Sequence, residues 1–180
     1  EEYFNYFFSQ REAIEALIYL HDVAEVRKQE QLLQFDKNDL LSSQHFPETW
    51  SRYVLKLATG AGKTKVLSLA LVWSFFHKTF EEGSDLSRNF LIVAPNIIVL
   101  DRLKVDFEGL RIFREDPLIP DDGFMGKSWT SEFKVRIHIQ DNVSITSPVG
   151  NIFLTNIQRI YDRGVNVPEF EDDDTTDYFL

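Results

Sequence analysis

Cysteine is absent from the 180 residues, so neither a disulfide nor a thiolate-bound metal can hold this chain together. A reducing compartment fits that absence, and a cytoplasmic location is the expectation. No apolar run reaches the roughly 18 residues of a membrane span without Lys, His or Asn breaking it. The opening residues, EEYFNYFF, lack the basic flank and apolar centre of a secretory signal. An excess of positive charge is missing too: 19 Lys and Arg face 29 Asp and Glu, for a net charge of −10. That excludes a global attractive field for nucleic acid, so any DNA contact needs a local strip of donors. Six of the acids crowd the last twelve residues, EFEDDDTTDYFL, which read as a solvated tail or linker. The four His residues are scattered without metal-ligand spacing and are expected in core or surface roles. What is present is ordinary for a globular domain or part of one. Apolar residues make up 43%, charged residues 27%, and sixteen Phe favour a packed interior.

Along the chain, SQREAIEALIYLHDVAEVRKQEQLL reads as one helix. Ser9 with Glu12 fits a capping box, and Ala13, Ala16, Leu17, Leu20, Val23 and Ala24 share a face at helical spacing. Residues 35–51 are polar, contain a Pro and read as a loop. Tyr53 to Leu57 is short and apolar, a buried-strand candidate. Lys63 to about Phe80 is free of Gly and Pro and predicts a helix. FLIVA, 90–94, predicts a strand stopped by Pro95, and NIIVLDRLKVDFEGL a helix ending near Gly109. Residues 111–150 are turn-rich at first. They then alternate Phe133, Val135, Ile137 and Ile139 against polar residues, as a half-exposed strand would. Ile152 to Leu154 predicts a third core strand with a short helix after it. Helix and strand alternation of this kind implies a parallel sheet with right-handed crossovers, an α/β fold.

The stretch LATGAGKT, 57–64, carries chemistry. Glycines let backbone N–H groups converge on phosphate oxygens with no Cβ in the way. A helix starting near Lys63 points its positive end, roughly half an elementary charge, at the same oxygens. In such a P-loop Lys63 spans the β- and γ-phosphates and the Thr64 hydroxyl holds Mg²⁺. The leading Gly of the full pattern is missing, since Leu57 stands there.

That departure resembles motif I of superfamily 2 (DEAD/DEAH-like) helicases and translocases. SQREAIEAL resembles the Q motif of these proteins, FLIVAPNIIVLDRL motif Ia and NIFLTNIQRIY motif Ib, in that order. The whole set, over about residues 7–160, is most similar to the Res subunit of type III restriction enzymes. The resemblance implies a RecA-like P-loop parallel sheet flanked by helices, the first part of a motor domain. The implied divisions are a Q-motif helix at 1–34, a P-loop and motif Ia core at 53–109, an irregular and strand insertion at 111–150, motif Ib at 151–161 and an acidic tail at 168–180. It implies ATP and Mg²⁺ as cofactors, bound through Thr59, Gly60, Ala61, Gly62, Lys63 and Thr64, with Lys63 and Thr64 serving catalysis and Gln10 reading the adenine edge. It implies DNA as partner, touched by Pro95, Asn96, Arg102 and Thr155, and a methyltransferase or specificity subunit beside the motor. Hydroxyl, amide and helix-end donors can hold a DNA backbone without surplus positive charge.

Each residue also has a plainer reading. Gln10 can be a surface helix residue, Pro95 a strand stop, Thr155 with Asn156 a helix cap, and Arg102 with Lys104 a solvated face. Hydrolysis further needs a carboxylate for Mg²⁺ and a residue orienting water. No apolar run here ends in Asp-Glu. The expectation is a motor segment that stops before those carboxylates and turns over ATP weakly or not at all. A different P-loop enzyme, such as a small-molecule kinase, and a non-catalytic interaction module stay open as other readings.

Overall fold

A computed structural model describes residues 5–37, 50–115, 118–119, 126, 128–140, 142 and 145–161. Residues 38–49 of the loop expected at 35–51, most of the turn-rich stretch at 116–127 and the acidic segment at 168–180 lie outside the described residues. The chain divides into two compact units, residues 6–61 and the chain from Gly62 onward.

In the first unit, helix α1 spans Phe8–Ile18. The expected cap at Ser9 is not its start. Phe7 is the extended N-cap residue, and its N–H donates to Gln10 Oε1 at 3.1 Å, the return half of a capping box. Gln at the third helical position can reach back in this way, and Ser9 is left inside the first turn. The single helix expected as far as Leu33 also breaks. Tyr19–Val23 widens into a π-turn, and the Val26 N–H closes onto the Leu20 carbonyl at 2.8 Å. Glu25 then adopts a left-handed φ of 48°. The Arg27 guanidinium donates to the carbonyls of His21, at 2.8 Å, and Val26, at 3.3 Å, binding acceptors that a further helical turn would use. Widening rotates Val23 out of the expected apolar stripe to the surface, while Val26 becomes buried. A short helix, α2, follows at Gln29–Leu32.

Tyr53 to Leu57 corrects a second expectation. It forms no regular element and has no ladder partner among the described residues, and Val54 is 91% exposed. β-branched and apolar residues suit a strand, but propensity does not supply the neighbouring chain that a ladder requires. What anchors the segment instead is the Tyr53 hydroxyl, which donates to the Val26 carbonyl.

The second unit begins with α3, Lys63–Phe80, as the sequence predicts. Its far end is tied to the following chain. The Ser74 hydroxyl donates to the Ser87 carbonyl at 2.8 Å, and His77 Nδ1 lies 2.7 Å from Ser84 Oγ. Strand β1, Asn89–Ala94, leads into α4, Ile97–Phe107, where Gly109 (φ 62°) turns the chain into α5, Arg111–Glu115. After α6, Trp129–Glu132, come strands β2, Val135–Ile139, and β3, Gly150–Asn156.

The three strands form a parallel sheet in the order β1-β3-β2, so the predicted α/β class holds. Ile152 and Leu154 of β3 line up with Phe90 and Ile92 of β1 and belong to the buried core. Gly150 continues that face because a Cβ there would stand 2.8 Å from the Arg88 carbonyl and 3.0 Å from the Phe75 ring. Phe75, Phe76, Phe80, Phe107, Phe113 and Phe133 form one cluster. Phe75 and Phe113 each meet Phe133 with centroids 4.9 Å apart, and Phe76 stacks on Trp129 at 4.4 Å.

Across the sheet, Asn151 links all three strands. Its Oδ1 accepts from the Ser147 N–H at 2.7 Å and lies 2.9 Å from His138 Nε2. Its Nδ2 donates to Asn89 Oδ1 and to the Ser147 carbonyl, both at 2.8 Å. These partners fix the amide orientation and place the His138 proton on Nε2. His138, 1% exposed, is thus a core residue, in line with the absence of ligand spacing.

Candidate functional site

The loop from Ala58 to Thr64 is built from local backbone choices. The Ala61 N–H closes a turn onto the Ala58 carbonyl at 3.2 Å. Gly60 (φ 78°) and Gly62 (φ 79°) both occupy the left-handed region, where a side chain is strained and glycine is not. Gly62 is the N-cap of α3, and the N–H groups of Lys65 and Val66 donate to its carbonyl at 2.9 and 3.2 Å. Between the amides of Ala61 and Lys65, those of Gly62, Lys63 and Thr64 have no backbone acceptor among the described residues. Three consecutive donors at the positive end of an 18-residue helix form a site suited to an anion.

The side chains agree with that chemistry. Lys63 and Thr64 are half-buried, and among the described residues nothing pairs with the Lys63 ammonium or the Thr64 hydroxyl. The Ser68 hydroxyl, one turn on, donates to the Thr64 carbonyl at 2.9 Å and leaves the Thr64 side chain unengaged. A magnesium–triphosphate fits this donor set. Among the described residues no group of three or more His, Asp or Glu could hold a metal by itself.

Gln10 is brought to the same loop. It is 6% exposed, and its Nε2 donates to the Ala61 carbonyl at 3.0 Å while its Oε1 accepts from Phe7. The surface-residue reading of Gln10 does not hold, because both ends of its amide are engaged inside the chain. Spacing gave no sign of this bond, since its partners are 51 residues apart. Nearby in sequence, burial pushes the Tyr6 hydroxyl above the ordinary phenol range.

The expected DNA-contacting residues fall at the carboxyl ends of adjacent strands. Pro95 and Asn96 follow the last residue of β1, and Val93 and Ala94 pair in register with Thr155 and Asn156 of β3. Each strand then ends in an Asn cap. Asn96 Oδ1 accepts from the Val99 N–H at 2.9 Å, and Asn156 Oδ1 from the Arg159 N–H at 3.2 Å. Pro95 and Thr155 are half-buried, and Asn96 is exposed. Arg102 does not join them at the strand ends. It is exposed on α4, roughly 7–8 Å further along that helix than its first residue. Lys104, two residues on, is paired with Asp101 at 2.9 Å.

Ligand sites outside the carboxyl ends of parallel strands and at helix N-termini are the rule in open α/β sheets. Compared with known families, the chain matches "Type III restriction enzyme, res subunit" over residues 4–180. The chain belongs to that family. The Res family assignment makes this a helicase-like ATP-binding domain with a RecA-like fold, of a family that generally uses ATP and Mg²⁺ and acts on DNA. No curated protein and no solved structure matches the chain. Among the described residues no helix is long and apolar enough to cross a membrane.

Proposed function

We propose that this chain is the nucleotide-binding part of an ATP-driven DNA translocase, the motor of a type III restriction system. Three neighbouring amides without backbone acceptors among the described residues, at Gly62, Lys63 and Thr64, carry the reading, with an ammonium and a hydroxyl on the same turn that nothing among those residues pairs. In it, Thr59 to Gly62 wrap the phosphates, Lys63 bridges the β- and γ-phosphates, and Thr64 holds Mg²⁺. Gln10 belongs to the same nucleotide set.

Pro95, Asn96 and Thr155 touch the DNA backbone from the ends of β1 and β3, with Arg102 as an outlying phosphate contact. Asn96 keeps its amide nitrogen for that purpose while its oxygen caps α4. Cleavage and sequence choice are assigned to other parts of the assembly, including a methyltransferase partner, in the cytoplasm. With no Asp-Glu after an apolar run, the chain binds ATP but turns it over slowly or not at all.

Calorimetric titration with ATP-Mg tests this. Lys63→Ala removes a charge-assisted hydrogen bond and is expected to weaken binding about tenfold to a hundredfold with the melting temperature unchanged. Equal affinity of the two proteins would contradict the assigned role. ATPase activity of wild-type chain abolished by the same substitution would overturn the slow-turnover part.

A further inference from the structure

We infer that Gln10 is a positioning residue of the phosphate loop, and that it acts on every phosphate ligand whatever its base. The inference rests on the nucleotide-binding reading above and deepens it. It starts from the peptide unit between Ala61 and Gly62. A trans peptide is planar, and its C=O and N–H point in opposite directions. Nε2 of Gln10 holds the Ala61 carbonyl at 3.0 Å, so the Gly62 N–H is turned away from Gln10. That N–H is the first of the three loop donors that have no backbone acceptor among the described residues. Were this peptide to flip, the Ala61 oxygen would take the place of the Gly62 N–H and would repel a phosphate.

Glycine makes a flip easy. Gly62 sits at φ 79°, and without a Cβ it populates positive and negative φ with comparable ease. The turn around it holds the Ala61 N–H but leaves the Ala61 carbonyl to Gln10. Gln10 is itself held rigidly. Its Oε1 accepts from the Phe7 N–H, and the residue is 6% exposed. Its amide can face only one way, because the Phe7 partner is a donor and the Ala61 partner is an acceptor. Start of helix, glutamine amide and loop carbonyl thus form one chain of hydrogen bonds that sets the aim of a phosphate donor. The base of a nucleotide has no part in it.

Gln10→Glu separates the two ends of this strut. The new carboxylate still accepts from Phe7, so α1 keeps its start, but it cannot donate to Ala61 and repels it. Gln10→Met removes both bonds without burying a charge. In the ligand-free chain, backbone amide order parameters measured by ¹⁵N relaxation at Ala61 and Gly62 are expected to fall in both variants; unchanged values would overturn the proposal. In titrations with ATP, GTP and tripolyphosphate, each with Mg²⁺, both variants are expected to lose roughly tenfold in affinity for all three ligands. A loss confined to ATP would make Gln10 an adenine reader and overturn the proposal, leaving the nucleotide-binding reading intact. If wild-type chain bound none of the three, that reading would fail. The relaxation data would then decide the strut without it.

Discussion

The two units of this chain are held by different means. From Gly62 onward, side chains interdigitate: Phe75, Phe107, Leu100, Ile152 and Leu154 are fully buried, and rings of α3 and α5 meet around Phe133. In residues 6–61, Val26 stands alone among the described residues as a buried apolar side chain, while Phe7, Phe8, Val23 and Val54 are largely exposed. Directed hydrogen bonds to carbonyls take over there, from Gln10 to Ala61, Tyr53 to Val26 and Arg27 to His21. Packing energy grows with every atom in contact, whereas a hydrogen bond adds only about 1 kcal/mol net and fixes a direction. The boundary between the units falls in the phosphate loop, between Ala61 and Gly62. The helix that supplies the loop's dipole is therefore set by packing, and the carbonyl before it by a single glutamine.

Two substitutions sharpen that contrast. Phe75→Ala empties the centre of the ring cluster and is expected to destabilise by about 3–5 kcal/mol. Denaturant unfolding followed by far-UV dichroism measures it, and a loss below about 1 kcal/mol would mean the rings do not carry the stability of the sheet unit. Tyr53→Phe removes only the hydroxyl that reaches Val26. Its expected effect is smaller, about 0.5–1.5 kcal/mol. Native-state hydrogen exchange at the Val26 amide, rather than global melting, is the measurement. Protection unchanged there would show that packing holds this unit as well.

How far the sequence could be read follows the same division. The Lys63–Phe80 helix, the three strands and their parallel arrangement were legible because apolar periodicity and the punctuation at Pro95 and Gly109 are local signals. The loop was legible for the same reason, since Gly60 to Thr64 are consecutive. Tyr53 to Leu57 misled because its composition is that of a strand while the ladder partner is a property of distant chain. The helix expected through Leu33 failed at a turn that Val26 and Arg27, within the same segment, close onto Leu20 and His21. His138 alternates with Ile137 and Ile139 and so reads as solvent-facing, yet the Asn151 amide makes its burial affordable to the fold. Gln10 was singled out by motif order alone, and its bond to Ala61 had no signal in spacing. Arg102 shares a helix with the motif Ia residues but stands away from the strand ends.

The central claim is that the amides of Gly62, Lys63 and Thr64 receive a triphosphate. Two-dimensional amide spectra of the full chain, recorded as magnesium–tripolyphosphate is added, test it most directly. The expected result is saturable shifts largest at those three residues, while the amides of Asn151 on β3 and His138 on β2 stay in place. Shifts spread over surface lysines, with the three amides unmoved, would contradict it.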